Sequence, residues 1–96
     1  MIERIEPERV IAAFLKTGMR PVRGNGNPPE CGCALQALSH AGMWSTFDTS
    51  YGVGFVTGWD KYPPGRPIEG EYGDGYVDGH ACAVAVEAEL GWIESP

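Results

Sequence analysis

Fourteen glycines and eight prolines divide this chain into four stretches whose apolar residues recur at helical spacing. That punctuation limits it to short helices joined by irregular loops. The first stretch runs from Pro7 to Lys16. Pro7 suits a first helical position, Val10, Ile11, Phe14 and Leu15 form an apolar stripe, and Gly18 supplies the stop. In the segment from Met19 to Asn27, Pro21 and the alternating glycine and asparagine predict no regular structure. A second helix is expected from an Asn27 cap through Pro28 and Pro29 to Ala41, stopped by Gly42.

The third stretch carries two periodicities. Tyr51, Phe55, Trp59 and Tyr62 recur as a helix requires, whereas Tyr51, Val53, Phe55, Thr57 and Trp59 alternate as in a strand. Gly52, Gly54 and Gly58 would each cost a helix up to ~1 kcal/mol relative to alanine. The capping residues Asp48, Thr49 and Ser50, and the extension of the aromatic stripe to Tyr62, favour the helix. A strand here would make the fold α+β. In the helix, Gly54 and Gly58 lie one turn apart and allow a neighbouring backbone to approach closely.

After a long loop from Lys61 to Asp74, a fourth helix is expected from Gly75 or Tyr76 to Leu90, with Asp74 as its cap and Gly91 as its stop. It has two apolar faces. Tyr76, Gly79, Ala83, Val86 and Leu90 form one, and Val77, Ala81, Val84 and Ala88 form the other. Such a helix is covered on both sides only at the centre of a domain or in an oligomer interface. No internal repeat is read. With 96 residues, 43% of them hydrophobic and ten aromatic, the chain is expected to form one mostly α domain spanning 1–96, a compact unit of about four short helices.

Charge narrows the functional classes. Residues 1–23 hold five basic groups against three acidic ones, and the net charge of −6 then leaves −8 on the remainder. So acidic a body repels phosphate backbones, which argues against nucleic acid as a partner. Charged residues among the first ten interrupt any secretory apolar region, and no apolar run reaches the ~18 residues of a membrane span. The expected setting is cytoplasmic, with reduced thiols and no membrane partner. An odd count of three cysteines argues the same way.

Three residue sets carry candidate chemistry. Cys31, Cys33, His80 and Cys82 supply the thiolate and imidazole donors that zinc or iron takes, although Cys-x-Cys and His-x-Cys depart from the usual knuckle spacing. Residues two apart on a helix point in different directions, so each pair could share one ion only if the helix start unwinds. Packing predicts instead that the second and fourth helices meet through these small residues. Cys31 or Cys33 could also serve as a nucleophile with His40 or His80 as base, but no motif supplies an orienting group or oxyanion hole. Arg20, Arg23 and Asn25 have the parts of an anion site, guanidinium groups beside flexible amides, without the lysine and hydroxyl ending of a phosphate loop. The acidic run Glu69, Glu71, Asp74 and Asp78 fails the calcium-loop pattern.

Trp44, Trp59, Trp92 and Ile93 are large for so small a domain and are expected at an interface, where one edge stays wet. With the two-faced fourth helix, they give the expectation of a non-enzymatic interaction module, a homo-oligomer or the binder of a protein partner, with no cofactor. The metal or thiol site and the anion loop are the alternatives.

Overall fold

The computed structural model describes residues 4–24, 26–28, 30–44, 50–60 and 70–91. Among these residues, four helices and a pair of two-residue strands enclose one core: α1 Pro7–Thr17, β1 Arg20–Pro21, β2 Cys31–Gly32, α2 Ala34–His40, α3 Ser50–Asp60 and α4 Gly70–Leu90. The helix α1 begins at Pro7 and ends at Gly18, which adopts the left-handed conformation (φ 71°) and donates its N–H to the Phe14 carbonyl at 2.9 Å. It buries Val10, Ala13 and Phe14. Leu15, placed on the apolar stripe by spacing alone, is instead 68% exposed.

The segment around Pro21, read as irregular, forms the parallel pair β1–β2, with Arg20 opposite Cys31 and Pro21 opposite Gly32. Proline is tolerated because the amides on either side of it make the bonds: Arg20 N–H donates to Glu30 O and Val22 N–H to Gly32 O, both at 3.0 Å. This pairing also shortens the second helix. Asn27 closes a single turn, its carbonyl accepting from Glu30 and Cys31, and Cys33 is extended (φ −75°, ψ 176°) before α2 starts at Ala34. The Gln36 side-chain oxygen accepts from both Cys33 N–H and Gly26 N–H at 2.9 Å, tying the helix start to the loop. Gly42 ends the helix as expected, at φ 72°.

The third stretch is a helix, which resolves its two periodicities, and α4 begins at Gly70, ahead of the expected start. Asp74 therefore lies inside the helix and caps nothing. The two helices form the main contact of the molecule, and α1 packs against α2 and α4. The expected close meeting of the second and fourth helices is replaced by that of the third and fourth. Gly54 faces the Tyr72 carbonyl and Gly58 the Tyr76 carbonyl. In return, Gly75 faces the Tyr51 carbonyl and Gly79 the Phe55 carbonyl. Residue numbers rise together on both sides, so the helices are parallel.

The reciprocity has a sequence basis. Tyr51-Gly52-x-Gly54-Phe55-Val56-x-Gly58 recurs as Tyr72-Gly73-x-Gly75-Tyr76-Val77-x-Gly79, so the chain does hold a short internal repeat, which spacing of apolar residues alone does not show. The two copies pack about a local two-fold relation, each glycine meeting the residue three positions earlier in the other copy. A Cβ on Gly75 would stand 2.8 Å from Phe55 N and 2.9 Å from the Tyr51 carbonyl carbon, inside any allowed contact. Without it, Cα–H groups face carbonyl oxygens in the manner of Cα–H···O contacts worth ~0.5–1 kcal/mol each. Close approach offsets the ~1 kcal/mol that each glycine costs its helix.

A buried aromatic column extends from this pair: Phe14 stacks on Trp59 with ring centres 5.9 Å apart, and Phe55, Leu38 and Val86 are fully enclosed with it. Tyr51 holds the amino-terminal segment to the pair. Its hydroxyl accepts from Ile5 N–H at 2.7 Å and donates to Asp78 at 2.5 Å, and Asp78 accepts two bonds from Arg4 at 2.9 Å.

Two tests follow. Gly75→Ala and Gly79→Ala should each destabilise the fold by ~1–3 kcal/mol in chemical denaturation, because overpacking outweighs the gain in helix propensity. A stabilised variant would contradict the close contact. Tyr51→Phe leaves the buried Ile5 N–H unsatisfied, for an expected loss of ~1–3 kcal/mol. Burial foremost and the bond to Asp78 push the Tyr51 pKa above its ordinary value of 10. An unfolded tyrosine therefore deprotonates first, so its contribution is complete below pH 10 and declines as pH rises beyond it. That alkaline decline should be shallower in Tyr51→Phe.

Candidate functional site

The four residues read as metal donors are not assembled. Cys31 lies half-buried in β2, where its sulfur accepts from Asn27 N–H at 3.3 Å. Cys33 is the buried residue before α2, Cys82 is buried within α4, and His80 is half-buried two residues before Cys82. Among the described residues, no three histidine, cysteine or acidic side chains group as a metal site. All three thiols are free. Burial pushes the Cys33 thiol up, and burial with the nearby charges of Asp78 and Glu8 pushes Cys82 up to about 12. Both are thereby held as neutral thiols, whereas a nucleophile or metal ligand needs the thiolate. Cys33 lines an open groove of about 310 Å³ with Leu35, Gln36, Ser39 and Val56.

The loop expected to hold an anion binds one from its own chain. Gly24 N–H donates to the Asp60 carboxylate at 2.7 Å, at the end of α3. Arg23 is drawn into the same junction: its guanidinium donates to the Trp59 carbonyl at 2.6 Å and pairs with Glu87 at 3.3 Å. A cation there complements the negative end of α3 and ties it to α4. The Trp59 indole N–H completes the strap by donating to Val22 O at 2.8 Å. Arg20 is exposed, and Asn25 lies outside the described residues.

The tryptophans part company. Trp59 is fully buried in the core of the single chain, which removes it from any interface. Trp44 is half-buried, with the Arg9 guanidinium 5.8 Å from its ring centre and Tyr51 beside it. Trp92 and Ile93 lie outside the described residues.

The two faces of α4 are shown directly. Tyr76, Gly79, Ala83 and Val86 are buried against the rest of the fold. On the other side, Val77 is 59% and Val84 42% exposed, and Ala81 and Ala88 between and beyond them are exposed too. Spacings of four, three and four residues put all four on one stripe. Around it stand Glu71, Asp74, Glu87 and Glu89, and α4 contains no lysine or arginine. The repeat reveals what is missing. Val56, the equivalent of Val77, is half-buried and lines the Cys33 groove together with residues of α2, whereas Val77 is largely exposed. Leu15 on α1 and Val53 on α3 are the other exposed large apolar residues among those described. Alignment of the two repeat copies was the signal in the sequence for this asymmetry; for Leu15 spacing gave the wrong side.

No helix among the described residues is long and apolar enough to cross a membrane. No protein-family model matches the chain, and no curated protein or solved structure matches it. The site is therefore read from its own chemistry.

In native conditions a thiol reagent should modify the half-buried Cys31 at least tenfold faster than Cys33 and Cys82, with mass spectrometry locating the label. Equal reactivity at all three would contradict the burial and the raised Cys33 and Cys82 pKa values.

Proposed function

We propose that the chain is a small non-enzymatic interaction module that docks another polypeptide, foremost a further copy of itself, on the outer face of α4. The observation behind this reading is the exposed stripe of Val77, Ala81, Val84 and Ala88, apolar along most of a helix whose opposite side already fills the core. Alanines alternating with valines let a second helix come close, as small residues do at helix contacts. The net charge of −6 argues against a nucleic-acid partner, and three free thiols suit a reducing compartment such as the cytoplasm. Raised pKa values at Cys33 and Cys82 weigh against the thiol-site alternative, and the occupation of Arg23 by Trp59 and Glu87 weighs against the anion loop.

Magnitudes set the strength of the contact. Full burial of a valine is worth ~1.5–3 kcal/mol, and Val77 and Val84 are each about half buried already. The stripe thus contributes a few kcal/mol per copy, short of the ~8 kcal/mol of a micromolar complex. A weak association follows. Light scattering between ~10 µM and ~1 mM should show the mass rising above the 10.3 kDa of one chain. Val84→Asp, a change at an exposed position, should return it to 10.3 kDa without lowering the thermal midpoint by more than a degree or two. A wild-type protein that stays at 10.3 kDa throughout would contradict self-association.

A further inference from the structure

We draw no further inference here: the strongest candidate, the open groove between α2 and α3 lined by Cys33, Leu35, Gln36, Ser39 and Val56, is a mostly apolar surface with nothing in the structure to show what covers it.

Discussion

The parallel contact of α3 and α4 is the constraint on which the remaining structure depends. Four glycines let two backbones approach until carbonyl oxygens meet Cα–H groups, and the register is reciprocal: Gly54 to Tyr72 and Gly58 to Tyr76, Gly75 to Tyr51 and Gly79 to Phe55. This fixes the rotation of both helices. Tyr51 is thereby placed to receive the Ile5 amide and Asp78, and Trp59 to stack on Phe14 and hold Val22. On α4 the same rotation turns Val77, Ala81, Val84 and Ala88 outward. The proposed docking face is a consequence of how the glycines face inward.

A near-repeat packed on itself would be symmetric if nothing else touched it, and the asymmetry of the surroundings sets the candidate site. On the α3 side, Val56 is half-buried and lines the Cys33 groove with residues of α2. On the α4 side, the equivalent Val77 is bare. Charge diverges as well: Val53 and Thr57 of the first copy correspond to Asp74 and Asp78 in the second, so the bare helix is also the acidic one. In the proposed docking, such a stripe would draw its affinity from valine burial, with its charged borders favouring some partners over others.

What the sequence made legible was local. The start of α1 at Pro7 and the stops at Gly18, Gly42 and Gly91 follow from backbone preferences that act within a few residues. The role of Gly54 and Gly58 and the two faces of α4 follow from helical periodicity. Long-range pairing was not legible. Two parallel bonds override the helical start read at Asn27, because the Glu30 and Gly32 carbonyls are taken by the Arg20 and Val22 amides of a segment ten residues away. The head of α4 was missed because Gly70 and Gly73, which disfavour a helix by propensity, read as loop residues. For the site residues, Cys31, Cys33, His80 and Cys82 looked convergent in sequence, yet lie on a strand, a helix cap and the middle of α4. Arg23 looked like a ligand for a foreign anion and serves the end of α3.

Nuclear Overhauser contacts between glycine Hα protons and the facing helix test the parallel glycine-mediated pair most directly. The pair described here places Gly58 Hα beside Tyr76 and Gly79 Hα beside Phe55, with Gly54 near Tyr72 and Gly75 near Tyr51. An antiparallel pair would bring Gly54 to Gly79 and Gly58 to Gly75, and that pattern would contradict both the register and the outward stripe that depends on it.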